Sequence, residues 1–205
     1  MLSSIQTLGT CFHFVRHGVH AEFGELLSGR SGAAPLTDVG REQAARVAGW
    51  AGRNRIAAIY SSPRTRTLET ATIIASAHDL DVTSIDALDE VDFGKWNGRS
   101  FAELKDDPLW RRWNSSRSIA PTPGGETMAE AVARTLAHVE IAAKSHGGGD
   151  VLCVTHCDII RGTLAHFLGL SLDNILRFDI DPGSVSTIEL GEHGPRVTRI
   201  NEVPA

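Results

Sequence analysis

Histidine and arginine side chains follow three apolar, strand-like runs of the sequence, each at the point where the run ends. Arg16 and His17 follow the first run, Arg64 and Arg66 the second, and His156 a later one. Arginine forks match phosphate oxygens bidentately, and a neutral imidazole can attack phosphorus as a nucleophile. Converging cations repel one another unless an anion lies among them. Their grouping therefore predicts a phosphate site.

Each of these side chains also has an ordinary structural explanation when taken alone. A histidine after a strand more often makes a structural hydrogen bond, and a lone Arg66 would be a solvated helix residue. Ser61-Ser62-Pro63 is explained as a helix start, and His156 could cap the following helix. Because all of them occupy the same topological place, we favour the joint interpretation.

Strand-like and helix-like runs alternate along the chain and predict the framework of that site. Short apolar runs predict strands at residues 11–15, 56–60, 82–85, 150–155, 184–190 and 197–203. Helical periodicity and end signals predict helices at residues 37–53, 62–78, 127–145 and 158–168. Such alternation is typical of an α/β fold with a mostly parallel central sheet between two helical layers. Ligands of such sheets bind at the carboxyl ends of the strands.

Local signals place several of the helix ends. Thr37 is the predicted N-cap of the first helix, whose apolar face would consist of Val39, Ala44, Val47, Ala48 and Ala51. The next helix is predicted to begin with Ser62 as its N-cap and Pro63 at its first position. Ser100-Phe-Ala-Glu103 and Thr127-Met-Ala-Glu130 have the form of capping boxes, so each predicts a helix start.

Composition excludes several classes of partner. The net charge of −5 and the pI near 6.0 offer no basic field for nucleic acid or a membrane surface. No apolar run reaches the ~20 residues that a membrane-spanning helix needs. Residues 1–10 lack the basic and long apolar regions of a signal peptide. We therefore expect a cytoplasmic protein whose three cysteines, Cys11, Cys153 and Cys157, stay reduced.

Five segments, in order along the chain, resemble the motifs of the histidine phosphatase superfamily, which contains the phosphoglycerate mutases. The similar segments are Phe14-Val-Arg-His-Gly18, Tyr60-Ser-Ser-Pro-Arg-Thr-Arg66 with Glu69-Thr-Ala71, Leu88 to Gly98, Pro123-Gly-Gly-Glu-Thr127 and Val154-Thr-His156. The resemblance extends from about residue 11 to 190. It implies a phosphoglycerate mutase-like, three-layer α/β/α fold, with residues 1–205 as a single domain and a small helical cap around 95–125.

The resemblance also implies the roles of the site residues. His17 would be the nucleophile and His156 the second catalytic histidine. Arg16, Arg66 and His156 would bind the phosphate, and Arg66 rather than Arg64 would be the family's phosphate-binding arginine. Glu90 falls on the acidic proton donor, with Asp89 and Asp92 as neighbouring rivals.

Two departures from the family pattern lie near the expected pocket. The family often has an acidic residue, then Ser or Thr, and later an Asn, where this chain has Val19, His20 and Phe23. One phosphate hydrogen bond would then be absent or replaced, with residues 29–32 as a substitute source. Cys157 stands where a glycine is usual, and we interpret it as a small packed residue rather than a nucleophile.

These inferences predict a metal-independent phosphatase that hydrolyses a small phosphomonoester through a phosphohistidine. We expect no cofactor and no metal, since arginines replace Mg²⁺ and no carboxylate or cysteine completes a set with His13, His17 and His20. The partner would be a small phosphorylated metabolite of unspecified identity. The sequence leaves the oligomeric state open, with a homodimer as one possibility. The alternatives are a phosphoglycerate mutase, disfavoured by the short chain, and a non-catalytic module that binds a phosphorylated ligand.

Overall fold

The computed structural model describes residues 9–205, so the expectation that no signal peptide is present falls almost wholly outside the described residues. Its strands are β1 (Thr10–Arg16), β2 (Ile56–Ser61), β3 (Val82–Ser84), β4 (Asp150–Thr155), β5 (Val185–Gly191) and β6 (Gly194–Glu202). Its α-helices are α1 (Asp38–Ala51), α2 (Thr65–Ser76), α3 (Phe101–Leu104), α4 (Pro108–Ser115), α5 (Met128–Ser145) and α6 (Cys157–Leu168).

The strands form one mixed sheet in the order β3-β2-β4-β1-β5-β6. Strands β3, β2, β4 and β1 are parallel to one another, whereas β5 is antiparallel to both of its neighbours, β1 and β6. The predicted, mostly parallel sheet is thus confirmed. The carboxyl ends of β1, β2 and β4 meet at one edge because these strands are direct neighbours.

Alternation along the strands directs apolar side chains to both faces of the sheet. On one face, Val15 of β1 belongs to a core with Val47 of α1 and Ile74 of α2. On the other face, Phe14 packs in a core that includes Val139 of α5. Helices therefore cover the sheet on both sides, which confirms the three-layer α/β/α prediction.

The segment between β3 and α5 contributes the largest share of a third apolar cluster. Leu104 of α3 and Trp113 of α4 are fully buried there, together with Met128 and Ile159. Both predicted capping boxes are present, at Ser100 and Thr127. The short helices α3 and α4 fall within residues 95–125, whose interpretation as a cap stays a prediction.

Two local predictions were wrong. Helix α2 begins at Thr65, after the non-helical Arg64, rather than at Pro63. The Ser62 hydroxyl is held by tertiary partners, so it does not cap the helix. Val39 is 56% exposed and lies off the buried face of α1.

No helix in the described part of the chain is both long and apolar enough to cross a membrane. Strand β6 forms an edge of the sheet. Pairing of such an edge between two copies of the chain stays a prediction.

Candidate active site

The strand register brings the predicted site residues to one edge of the sheet. Arg16 pairs with Thr155 at the ends of β1 and β4, and Ser61 of β2 pairs with Val154. Just beyond these pairs, the backbone N–H of His17 donates to the Thr155 carbonyl at 3.1 Å. His17 and His156 therefore leave adjacent strands side by side, with ring centroids 5.3 Å apart.

His17 is buried and held in one orientation. Its Nδ1 lies 2.8 Å from the carbonyl oxygen of Gly18. Since a carbonyl only accepts, Nδ1 carries the proton and Nε2 keeps a free lone pair. Burial, with the nearby charges of Arg66 and Arg16, holds the pKa of His17 well below its usual range. At neutral pH the ring is thus a neutral, oriented nucleophile.

Close backbone packing fixes the turn that follows His17. A Cβ at Gly18 would overlap the Gly40 carbonyl oxygen, and a Cβ at Gly40 would overlap the carbonyl oxygen of Val19. The start of α1 can therefore approach the end of β1 only because both positions are glycine.

His156 is fully buried, and both of its ring nitrogens are engaged. Nε2 lies 2.8 Å from the Ser62 hydroxyl, which in turn donates to Asp89 Oδ1 at 3.2 Å. Nδ1 lies 3.0 Å from Nη2 of Arg66 and accepts from it. Burial and the Arg66 charge hold the pKa of His156 well below its usual range. A phosphate contact by His156 therefore requires Arg66 to release Nδ1.

Arg66 lies between the two imidazoles. Its Nε donates to His17 Nε2 at 3.3 Å, and its Nη2 also donates to the Gly29 carbonyl at 2.8 Å. Arg16 donates to the Ile180 carbonyl at 2.5 Å, while its buried Nε has no partner among the described residues. Neither guanidinium has a carboxylate within 4.0 Å in the described range, so two positive charges face the site.

Arg64 points elsewhere, as the resemblance implies. Its Nε and Nη2 contact both oxygens of Asp89, at 2.9 and 2.8 Å. Its Nη1 donates to the Arg30 carbonyl at 2.6 Å. Arg64 is thus a structural partner of the loop that carries Glu90.

Glu90 is part of the lining of the cavity at this site. Its Oε1 accepts from the Val91 N–H at 2.9 Å, and Oε2 lies 3.7 Å from His156 Nδ1. Its backbone carbonyl is fixed by donors from Arg30 at 2.8 Å and Arg134 at 3.0 Å. Burial, reinforced by the charge of Asp158, raises the pKa of Glu90 to about 7. A protonated and an ionised form are both accessible near neutral pH.

The two rival carboxylates have structural partners. Asp89 is paired with Arg64 and Arg30 and accepts from the Glu90 N–H at 2.8 Å. Asp92 accepts from the Gly94 N–H at 2.9 Å and from Asn97 at 3.0 Å. Neither lines the cavity, whereas Glu90 does.

A cavity of about 380 Å³ opens over these groups. Four predicted site residues line it, namely Arg16, His17, Arg66 and Glu90. The wholly buried His156 is not part of the lining. A volume in the range of about 300–1,000 Å³ is typical of sites for small organic ligands, so more than a phosphate fits.

Two further lining residues, His20 and Cys157, stand at the departures from the family pattern. The buried ring of His20 lies 5.2 Å from that of His17, and its Nδ1 has no hydrogen-bond partner in residues 9–205. Burial, with the charge of Arg66, lowers the pKa of His20 to about 4, so it is neutral. Burial raises the pKa of the Cys157 thiol to about 11. Cys157 is therefore a protonated thiol in the cavity lining. For both His20 and Cys157, the departure from the family pattern was the sequence feature that pointed to the cavity.

Among residues 9–205, no group of three or more His, Cys, Asp or Glu side chains is arranged to hold a metal ion. The side chains that gather instead are an oriented imidazole, two guanidiniums and a carboxyl group whose pKa is about 7. That set can hold a phosphoryl group, attack it and exchange a proton with the leaving oxygen.

Comparison with known proteins shows the family of this chain. Residues 12–203 match the histidine phosphatase superfamily (branch 1). The chain belongs to this superfamily.

Two curated relatives are similar over much of this chain. The "Bifunctional protein Rv2228c" of Mycobacterium tuberculosis is 37% identical over 191 residues, 91% of this chain and 52% of its own length. The chain thus spans about half of that relative. Phosphoserine phosphatase 1 of Hydrogenobacter thermophilus is 32% identical over 168 residues, 81% of this chain and 80% of its own length.

A solved structure supports the fold assignment. Bacillus stearothermophilus YhfR superposes with a TM-score of 0.89 at 27% identity, covering 95% of this chain and 98% of the other.

Proposed function

We propose that this chain is a metal-independent phosphatase that hydrolyses a small phosphomonoester through a phosphohistidine at His17. The observation that carries the proposal is the His17–Arg66–His156 arrangement, in which one guanidinium contacts two neutral, buried imidazoles at 3.3 and 3.0 Å. A phosphate oxygen is a stronger acceptor than an imidazole nitrogen, because it carries charge. An arriving phosphate therefore draws Arg66 to itself and frees both rings.

The first half-reaction transfers the phosphoryl group to the enzyme. His17 Nε2 attacks phosphorus, forming an N–P bond as the P–O bond to the leaving group breaks. Glu90 in its protonated form gives its proton to the departing alkoxide, which leaves as an alcohol. Arg16 and Arg66 stabilise the charge on the equatorial oxygens, joined by His156 once Arg66 moves. The Gly18 carbonyl, which accepts from Nδ1, stabilises the positive ring of the phosphohistidine.

The second half-reaction returns the enzyme to its starting state. Glu90, now ionised, removes a proton from a water molecule as that water attacks phosphorus. The N–P bond breaks, inorganic phosphate leaves, and neutral His17 and protonated Glu90 are restored. A carboxyl pKa near 7 suits both directions of this proton transfer.

His20 supplies the phosphate contact that the Ser or Thr of the family pattern would make. Its ring lines the same cavity as His17, and its buried Nδ1 makes no hydrogen bond with residues 9–205. A neutral imidazole donates one hydrogen bond to an oxygen without adding charge.

The test is a screen of phosphorylated metabolites for phosphate release, with a chelator present and with or without 2,3-bisphosphoglycerate. Chelator-resistant release supports the phosphatase. Interconversion of 2- and 3-phosphoglycerate without release supports the mutase, and binding without either reaction supports the non-catalytic module. Loss of release on chelation contradicts the metal-independent mechanism.

A further inference from the structure

The cavity lining includes residues beyond those proposed to bind the phosphate, and we refer to the part that they line as the outer half of the cavity. One side of this outer half is apolar, with aromatic and aliphatic lining from Phe23, Leu26, Leu27, Phe101 and Trp110. Another part of the lining, the charged side, consists of Asn114, Arg117, Asp158 and Arg161. A leaving group attached to a phosphate in the inner half would be enclosed by the apolar and charged sides together.

Two aromatic rings of the apolar side stay partly exposed. Phe23 is 41% exposed and Phe101 is 39% exposed, although large apolar side chains gain free energy when buried. Trp110 is held rigidly, edge to face with Trp96 at 5.3 Å between ring centroids. Exposed aromatic groups that line a preformed cavity are typical of a surface that a ligand covers.

The charged side is already neutralised by its own ion pairs. Arg117 is only 4% exposed and contacts Asp158 at 2.6 Å, with a further hydrogen bond of 2.9 Å to Asn114. Arg161 lies 3.9 Å from Asp158 and 3.5 Å from Asp179. Two arginines thus face two carboxylates, and this side presents no net positive charge.

The inner half balances the charge of a single phosphate. Arg16 and Arg66 contribute two positive charges, and a phosphomonoester carries close to two negative charges at neutral pH. A carboxylate on the leaving group would find no uncompensated cation and would lie near Asp158. Such a like-charge contact is unfavourable at low dielectric.

We propose that the outer half of the cavity selects phosphomonoesters whose leaving group is uncharged and carries an aromatic or comparable apolar ring. This inference rests on the proposed phosphatase function and assigns its substrate class. It disfavours small phosphorylated acids such as phosphoglycerate, although a relative of similar sequence is a phosphoserine phosphatase.

The test compares kcat/KM for three alkyl esters with similar leaving-group chemistry: 2-phenylethyl phosphate, ethyl phosphate and 3-phosphoglycerate. The aromatic ester should exceed ethyl phosphate by about tenfold or more, because covering a ring ordinarily contributes that much. Ethyl phosphate should exceed 3-phosphoglycerate, since only the latter brings an unmatched carboxylate. p-Nitrophenyl phosphate, with its activated leaving group, reports whether the enzyme is a phosphatase at all.

Two variants assign the selectivity to the two sides, and a third serves as the control. Trp110→Ala should reduce the 2-phenylethyl to ethyl ratio about tenfold. Leu109→Ala, on the same helix but 54% exposed and outside the cavity lining, should leave that ratio unchanged. Asp158→Asn leaves Arg117 without its carboxylate, so it should raise the 3-phosphoglycerate to ethyl ratio about tenfold. Ratios are used because they cancel changes in the amount of folded enzyme.

The outcomes separate the two levels of the proposal. Hydrolysis of p-nitrophenyl phosphate together with faster turnover of 3-phosphoglycerate than of 2-phenylethyl phosphate overturns the substrate class and leaves the phosphatase in place. Equal ester ratios in Trp110→Ala and Leu109→Ala also overturn it. No release from any ester contradicts the phosphatase and this inference together.

Discussion

Arg66 donates from Nε to Nε2 of His17 across 3.3 Å, so the atom proposed to attack phosphorus is held by the group proposed to bind the phosphate. This distance lies just outside the usual range of N–H donor contacts, about 2.7–3.2 Å. The contact is therefore weak enough to be exchanged for a phosphate oxygen. Burial and the charge of Arg66 both lower the pKa of His17, so its ring is neutral and Nε2 carries no proton.

The first prediction concerns pH and the leaving group. Glu90 must be protonated to donate, and its pKa is about 7, so kcat/KM for ethyl phosphate should fall about tenfold per unit above pH 7. The leaving group of p-nitrophenyl phosphate needs no proton, so its kcat/KM should stay level from pH 7 to 9. Protonation of His17 should not lower kcat/KM near pH 6.5, because the pKa of His17 lies well below that value.

Substitution tests the same assignment. Glu90→Gln should lower kcat/KM for ethyl phosphate roughly 10²- to 10⁴-fold and for p-nitrophenyl phosphate much less. Asp92→Asn removes the neighbouring carboxylate outside the cavity and serves as the control. An alkaline limb that persists for ethyl phosphate in Glu90→Gln would assign the proton donor to another group.

A second prediction compares two arginines two residues apart. Arg66→Lys keeps the charge but loses the planar fork, so kcat/KM should fall about 10²-fold or more and phosphate should inhibit more weakly. Arg64→Lys loses the two-point contact with Asp89, so stability should fall by about 1–2 kcal/mol while kcat/KM changes less than about threefold. Steady-state kinetics and urea unfolding distinguish the two. Equal kinetic losses would contradict the division of roles.

A third prediction concerns His20. His20→Ala should raise the inhibition constant of inorganic phosphate and lower kcat/KM by about tenfold, the usual value of one hydrogen bond to a charged group. His20→Gln restores a neutral donor and should recover most of the loss. A purely structural role for the ring would predict no difference in phosphate inhibition between the two variants once both are folded.

A fourth prediction uses two glycines of α1. A methyl group at Gly40 would overlap the backbone of Val19, so Gly40→Ala should destabilise the fold by about 1–3 kcal/mol and displace His17. Gly49 is exposed and has nothing within 4 Å of an added Cβ, so Gly49→Ala should stabilise α1 by about 0.5–1 kcal/mol. Thermal unfolding measures both. A neutral Gly40→Ala would show that the turn after His17 tolerates displacement.

Much of the framework was predictable because its signals are local. The apolar runs of β1 and β4 and the capping boxes at Ser100 and Thr127 depend on neighbouring residues only. The convergence of His17 and His156 followed from strand direction, since parallel neighbours end at the same sheet edge.

The rest depends on contacts distant in sequence. Ser62 looked like a helix cap, but its hydroxyl is used by Asp89 and His156, which lie 27 and 94 positions away. The pairing of Arg117 with Asp158 joins positions 41 residues apart, so the sequence alone did not show that this charge is neutralised. Polar side chains that choose between local and tertiary partners are thus the least predictable part of the site.

Trapping the covalent intermediate tests the central claim most directly. The enzyme is mixed with a 32P-labelled phosphomonoester that it turns over and is quenched in alkali within one turnover, and the labelled peptide is sequenced. We predict an acid-labile, alkali-stable phosphoryl group on His17 that forms and decays at the rate of turnover. Turnover without labelled protein, or the same label in His17→Ala, would contradict the account.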